Sequence, residues 1–231
     1  MKSRTDFFTI ILFALSVFGC SETRDVNPDA YGTDYFPLKV GQFAIYQVEG
    51  VEYINSRDSV EFSYQLKESI TESFEDLESG ISYKILREKR ENENEEWKID
   101  SVWSARKDGL RAIKTENNVP YIRLVFPFQE NKTWNGNGLN NKQPDDYEMI
   151  DVGKPYTGIF SYFDRTVTVI IDLIPDRFVQ YISKKEVYSQ HTGLVYKENV
   201  ILNYRQGDDY GLGIVDSGIK YFQSILAYGE E

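Results

Sequence analysis

Apolar and polar residues alternate along most of the chain that follows Tyr35. The segment 59–67 shows this most clearly, because its odd positions are polar and its even positions are Val60, Phe62, Tyr64 and Leu66. Successive side chains of a β-strand point to opposite faces, so a period of two predicts a strand with one buried and one solvated face. Residues 81–85 repeat the pattern.

Short apolar runs lie between clusters of Gly, Pro, Asn and Asp along the rest of the chain, and each run predicts a further strand. The chain also contains 17 Tyr and 14 Phe, which suit a pleated, half-buried surface. Short connections favour antiparallel pairing. The sequence therefore predicts a single all-β domain over residues 35–231, built as an antiparallel sandwich or an open β-barrel. The predicted strands are residues 43–48, 60–67, 81–85, 97–99, 109–114, 121–126, 147–152, 166–174, 178–182, 185–190, 193–204 and 218–228.

One segment carries helical spacing. In Leu66–Leu77 the apolar residues Ile70, Phe74 and Leu77 lie three or four positions apart among Glu and Ser residues. We interpret this segment as a strand with a bend rather than as a helix.

The N-terminus follows a different pattern. Lys2 and Arg4 precede the apolar run Phe7–Phe18, which is far shorter than the ~20 residues of a membrane-spanning helix. Gly19 and Cys20 come next, so residues 1–19 are predicted to be a signal peptide that is cleaved off. The junction resembles the lipobox of bacterial lipoproteins. That resemblance implies lipid attachment at Cys20, and two or more acyl chains hold a protein stably on a membrane.

Residues 20–34 are polar and show no periodicity, which predicts a flexible tether. Ser21 resembles the residue that follows the acylated cysteine in lipoproteins of the outer membrane. The predicted location is therefore the outer membrane, on its periplasmic side or at the cell surface.

Charge argues against some partners. Removal of residues 1–19 takes away Lys2, Arg4 and Asp6, which leaves 24 basic and 36 acidic residues and a net charge of −12. Nucleic acid and anionic headgroups would be repelled on average, so we expect no nucleic-acid partner. The only cysteine is Cys20, so no disulfide is expected.

Several short motifs resemble those of a group of uncharacterised Bacteroidota lipoproteins. They are the segment Tyr35–Gly41 (YFPLKVG), the segment Thr133–Asn137 (TWNGN), and the segment Gly193–Glu198 (GLVYKE). The resemblance implies an envelope location and a β fold, and it implies no activity.

Catalytic and metal-binding motifs are not recognisable, and no cofactor is predicted. His191 is the single histidine, so a zinc site is improbable, and we interpret this residue as part of an exposed turn. Asp145–Asp146 and Asp208–Asp209 lie in loops where Ca²⁺ could bind, but they lack EF-hand spacing and we interpret them as solvated acids. A glycosidase-like pair of carboxylates stays open, because sequence does not give the distance between them.

Three side chains are candidate sites of contact or modification. Trp134 lies in the loop-like segment 132–141 beside asparagines, where an aromatic ring can contact a glycan, although its place also suits a packing anchor. Ser59 and Ser101 each lie in an Asp-Ser-Val triplet, which resembles the O-glycosylation motif of exported Bacteroidota proteins.

Together these features predict a membrane-anchored envelope lipoprotein that is a non-enzymatic binding or structural protein, with an envelope protein or a glycan as partner. Three alternatives remain open: a glycan-binding accessory protein, a carboxylate-based envelope hydrolase, and a carrier of lipid-like molecules. An exposed aromatic row, two acids facing one cleft, or a barrel with an apolar interior would distinguish them.

Overall fold

Antiparallel β-strands make up most of the chain in the computed structural model, which describes residues 31–76, 80–176 and 178–231. The all-β prediction is confirmed. Two short 3-10 turns, Thr33–Tyr35 and Gly207–Asp209, accompany the strands. The strands are β1 (Gln42–Tyr53), β2 (Ser59–Asp76), β3 (Gly80–Arg90), β4 (Lys98–Lys107), β5 (Arg111–Glu116), β6 (Val119–Val125), β7 (Lys132–Asn135), β8 (Asp146–Thr157), β9 (Tyr162–Ile174), β10 (Gln180–Ser189), β11 (Gly193–Tyr204) and β12 (Val215–Glu230).

The strands form one 12-stranded sheet in the order β6-β5-β4-β3-β2-β1-β12-β11-β10-β9-β8-β7. Consecutive strands pair with each other except β6 and β7, which lie at the two ends of the sheet, and β1 also pairs with β12 from Gln42–Glu230 to Tyr53–Gly218. The sheet is nearly closed into a barrel within a single domain. Of the two predicted architectures, the open barrel is therefore the one observed.

The two ends of the sheet meet along a seam between β6 and β7. The backbone N–H of Ile122 donates to the carbonyl of Gly136 (2.9 Å), and the indole N–H of Trp134 donates to the carbonyl of Ile122 (2.9 Å). Asn140 Nδ2 donates to the carbonyl of Pro120 (2.8 Å). These bonds hold the edges together without a regular ladder.

Segment 66–76 is strand, as predicted, and a register shift between Ile70 and Glu72 in the pairing of β2 with β3 gives it an irregularity. Segment 132–141 was predicted to be a loop, but its first four residues, 132–135, form strand β7 and pair with β8. Only Trp134 is apolar in this four-residue strand, so no alternation identifies it in the sequence.

Residues 31–34, which the sequence assigns to the tether, hydrogen-bond to the barrel. The carbonyl of Tyr31 accepts from Phe128 N–H (3.3 Å), and the carbonyl of Asp34 accepts from His191 N–H (2.9 Å). The predicted signal peptide (residues 1–19) and residues 20–30, with the predicted lipid site Cys20, lie outside the described residues. In the part of the chain that is described, no helix is long and apolar enough to cross a membrane.

The core forms two buried clusters. In the larger one, Tyr35 and Phe36 of the N-terminal segment pack against residues of β3–β6 and β8–β10, including Leu124, Met149 and Val169. The smaller cluster comprises Tyr46, Val48, Leu66, Phe163, Val187, Val195 and Ile225. The N-terminal segment is therefore part of the packed interior and lies beside the cavity described next.

Candidate functional site

A cavity of about 450 Å³ lies inside the barrel. Its walls come from β1–β6 on one side and β10–β12 on the other, together with the N-terminal segment and the turn between β10 and β11. The volume is typical of sites for small molecules, which occupy roughly 300–1,000 Å³. His191 and Glu230 line the cavity with side chains that are 72% and 52% exposed, so the space reaches solvent beside them.

Part of the wall is apolar. The side chains that form this part are Phe36, Leu38, Phe43, Ile70, Ile85 and Leu194. They come from the N-terminal segment and from strands on both sides of the space. Such a surface can bury the apolar portion of a ligand.

A first group of charges in the wall is centred on Glu68 of β2. Arg87 lies directly opposite it in the register of β2 and β3, and Arg87 Nε is 3.0 Å from Glu68 Oε1. Lys114 Nζ of β5 is 2.8 Å from the other carboxylate oxygen. Burial alone would raise the pKa of Glu68, but the charges of Lys114 and Arg87 outweigh it and the pKa is lowered. The Arg87 guanidinium also lies over the Trp103 ring, 3.6 Å from its centroid.

A second group of charges is centred on Arg123 and Glu186, whose side chains are 6% and 3% exposed. Arg123 Nη2 lies 2.7 Å from Glu116 Oε1, and its Nη1 lies 3.5 Å from Glu186 Oε1. Lys197, opposite Glu186 in the register of β10 and β11, brings Nζ to 3.0 Å from the same oxygen. Burial opposes ionisation of Glu186, yet Arg123 and Lys197 lower its pKa to about 2. Burial also opposes the charge of Arg123, but Glu186 and Glu116 raise its pKa.

Two tyrosine hydroxyls complete this wall. The Tyr188 hydroxyl donates to Glu186 Oε2 (2.6 Å), and the Tyr221 hydroxyl donates to Gln223 Oε1 (2.8 Å). Burial, and for Tyr188 the neighbouring Glu186 carboxylate, raises the pKa of both phenols above the usual range. Both are therefore neutral hydrogen-bond donors near pH 7.

Three carboxylates lie in the inner wall of the cavity, those of Glu68, Glu116 and Glu186, and in each the pKa is lowered because nearby cations outweigh the effect of burial. A glycoside hydrolase needs one carboxylic acid with a raised pKa to protonate the leaving group. None of these three has that property. Ionised and paired with cations, these three carboxylates hold hydrogen-bond donors in place in the wall.

Trp134 does not line the cavity. Its ring is half-buried and packs edge-to-face against Tyr147 with 5.9 Å between ring centroids, and its N–H is bonded at the seam. This placement fits the packing anchor named above as the alternative to a glycan contact. Glycan contact by Trp134 stays a prediction.

The two Asp-Ser-Val serines lie in strands. Ser59 is exposed at the start of β2. Ser101 lies within β4, half-buried, where its hydroxyl donates to Asp100 (2.8 Å) and accepts from Arg87 (3.1 Å). Glycosylation of both stays a prediction, and Ser59 is the more accessible.

His191 occupies the turn between β10 and β11, with a positive φ of 63°. The Asp34 carboxylate lies 3.8 Å from its Nε2. In the loops considered for calcium, Asp209 instead pairs with Arg205 at 2.8 Å. Within the described ranges no three His, Cys, Asp or Glu side chains come together as a metal site.

The buried charges of the cavity wall were not predicted from the sequence, although the position of one of them is a signal for such a site. Glu68 stands between Leu66 and Ile70 on the face of β2 that alternation assigns to the interior. A charge at such a position needs buried partners, because isolated ions are costly to bury. Arg87 comes from the next strand, but Lys114 is 46 residues away, and neither contact could be identified from alternation alone.

No protein-family model matches the chain, and no curated protein matches its sequence. Two crystal structures are similar in fold. A candidate exported protein with a YmcC-like fold from Bacteroides fragilis has a TM-score of 0.42 and 9% identity, covering 84% of this chain and 98% of that one. A candidate lipoprotein from Parabacteroides distasonis has a TM-score of 0.43 and 14% identity, with the same coverage. Both similarities are weak.

Proposed function

We propose that this chain is a non-enzymatic envelope lipoprotein whose barrel binds a small amphipathic molecule in its interior. The observation that carries the proposal is the 450 Å³ cavity, which joins an apolar wall to a wall of buried ionic groups. A filled core would offer no such space. An amphipathic molecule matches both walls, since its apolar part displaces water from one and its polar part hydrogen-bonds to the other.

The location is part of the proposal. The lipobox-like sequence before Cys20 and the polar segment after it support attachment to the outer membrane by acyl chains. Tyr31 and Asp34, whose carbonyls accept hydrogen bonds from the barrel, follow Cys20 by 11 and 14 residues in the sequence. A binding domain tethered in this way would stay within reach of molecules at the membrane surface.

Titration calorimetry with decan-1-ol tests ligand binding directly. The protein is the full chain carrying Cys20→Ser, so that its own acyl chains do not compete. We expect saturable binding of one molecule per chain. Ile70→Trp should weaken it by narrowing the cavity, because Ile70 lines that space.

The matched control is Ile81→Trp, which places the same side chain at a position that is 61% exposed. This variant should bind as the parent does. Absence of binding in the parent protein, or equal binding by the parent and Ile70→Trp, would contradict the proposal. Circular dichroism on heating shows whether both variants are folded.

A further inference from the structure

Below its solvent-exposed rim, the cavity wall carries four cationic and three anionic side chains. Its cations are Arg87, Lys114, Arg123 and Lys197, and its buried carboxylates are those of Glu68, Glu116 and Glu186. Glu230 also lines the space, at its solvent-exposed rim, where Lys39 pairs with it (2.5 Å). The inner wall therefore has one positive charge in excess.

A further carboxylate approaches this wall from outside the cavity lining. Asp100 Oδ2 lies 3.1 Å from Arg87 Nη1, and the Asp100 side chain is 39% exposed whereas that of Arg87 is 12% exposed. Solvent screens an exposed charge more strongly than a buried one. Asp100 consequently offsets the buried positive charge only in part.

The unused hydrogen-bond donors of the wall also favour an anionic ligand group. The Lys114 ammonium has three N–H groups, and its hydrogen bond to Glu68 Oε2 uses one of them. Arg123 Nε is buried without a hydrogen-bond partner. On the acceptor side, Gln42 Oε1 is likewise buried without a partner. Since an ammonium and a guanidinium donate strongly to anionic oxygens, the wall favours a ligand group that accepts hydrogen bonds.

The two charged groups meet on β5, where Lys114 of the first group and Glu116 of the second are two positions apart and therefore lie on the same face. The charge of Lys197 acts on Glu68 and Glu116 as well as on its direct partner Glu186, and Lys114 acts on both Glu68 and Glu116. A single charged group of a ligand can therefore interact electrostatically with both Lys114 and Lys197. The apolar residues Ile70 and Leu194 line the same cavity and can contact the rest of the molecule.

We infer that the ligand is a single-chain amphiphile with one negative charge, a carboxylate at neutral pH, bound with that group at the wall of Lys114 and Lys197 and its chain along the apolar wall. This inference rests on the proposed function. It adds the sign of the head-group charge and the part of the wall that recognises it. The binding is reversible and involves no covalent step.

Three ten-carbon probes with different head groups test the inference: decanoate, decan-1-ol and decylamine. They are titrated at neutral pH, below their micelle concentrations, into the full chain carrying Cys20→Ser. Decanoate should bind about tenfold more tightly than decan-1-ol, and decylamine should bind most weakly, because a buried cationic wall discriminates by charge.

Lys114→Gln should lower the affinity for decanoate about fivefold and change that for decan-1-ol less than about twofold, since glutamine keeps a hydrogen-bond donor but removes the charge. The matched control is Lys154→Gln, at a side chain that is 62% exposed. Lys197→Gln provides a second cavity variant if Lys114→Gln does not fold.

Failure of the two proposals can be told apart. If none of the probes binds, the proposed function is wrong. If decan-1-ol or decylamine binds as tightly as decanoate, or if neither cavity variant selectively weakens decanoate, the binding function stands and the inferred negative charge is wrong.

Discussion

Arg123 of β6 and Glu186 of β10 meet across the interior of the barrel, with 3.5 Å between Nη1 and Oε1, although seven strands lie between β6 and β10 in the order of the sheet. The pair therefore connects opposite sides of the fold. Glu116 and Lys197 extend it on either side. Removal of one of these ions would leave its buried partners without a compensating charge, so the fold should be sensitive to substitution here.

Arg123→Met should lower the free energy of unfolding by about 3 kcal/mol or more, because it leaves Glu116 and Glu186 buried with fewer cations. Urea denaturation measures this change. Arg165→Met is the matched control, since Arg165 is exposed, and it should change stability by less than about 0.5 kcal/mol. Equal effects of the two substitutions would show that the interior pair is unimportant for stability.

The ionised form of Glu186 should stabilise the fold in a defined pH range. Its pKa is about 2 in the folded protein against an ordinary value of 4.5, so the folded state favours the charged form. This stabilisation is fully present above the ordinary pKa and is lost as pH falls from about 4.5 toward 2.

Urea titrations of the parent and Glu186→Gln across this range test the prediction. The parent should be more stable than the variant at pH 7, and the difference should shrink as pH falls. Glu61→Gln, at an exposed position, controls for loss of a surface charge. A difference that stays constant down to pH 2 would contradict the prediction.

Trp134→Phe should lower the free energy of unfolding by about 1–2 kcal/mol, because it removes the N–H that bonds to Ile122 at the seam. Trp97→Phe is a matched control. Trp97 directly precedes β4, and its ring is stacked with Arg90 (4.3 Å from guanidinium carbon to ring centroid). Thermal unfolding compares the two. If Trp134 serves instead as a glycan contact, its substitution should weaken glycan binding and leave stability unchanged.

Cys20→Ser should move the protein from the membrane fraction to the soluble fraction, because no acyl chain can then be attached. Cell fractionation and labelling with radioactive palmitate measure this. Ser21→Ala keeps the cysteine and should remain membrane-bound and labelled. A Cys20→Ser protein that stays in the membrane fraction would rule out the lipid anchor.

Ser59→Ala should remove one glycan from protein isolated from its native envelope. Intact-mass measurement would show the difference as more than the loss of one oxygen atom. The neighbouring Ser63→Ala should change the mass by that oxygen alone. If the parent has its unmodified polypeptide mass after allowance for the lipid, Ser59 and Ser101 are not glycosylated.

Much of the fold was predictable because alternation is a local property. The face Phe62, Tyr64 and Leu66 identifies β2 before any tertiary contact is known, and the same period extends it past the helix-like spacing of Ile70 and Phe74. Local sequence does not determine whether the strands form a sandwich or a barrel. That choice depends on pairing between β1 and β12 and on the contact between Ile122 and Gly136 at the seam.

The cavity was less predictable than the strands. The position of Glu68 among apolar neighbours signals a buried charge, but Lys114 is 46 residues away and Arg123 is still farther along the chain. Likewise, the loop assigned around Trp134 is a strand because its partner in β8 supplies the pairing. Alternation identifies which side chains face the interior of the barrel, whereas the pairing of the strands determines which residues those side chains contact.

The pairing of β1 with β12 sets the order in which the molecule can be assembled. All other ladders join consecutive strands and can form as hairpins while the chain is still emerging from a ribosome or a translocation channel. The β1–β12 ladder must wait for residues 215–230, which are synthesised after all the other described strands. Until then the edge of β1 is uncovered, and an uncovered strand edge can pair with other chains. Truncation at the C-terminus would make that temporary exposure permanent, so an incomplete chain is expected to aggregate rather than to persist as a smaller barrel.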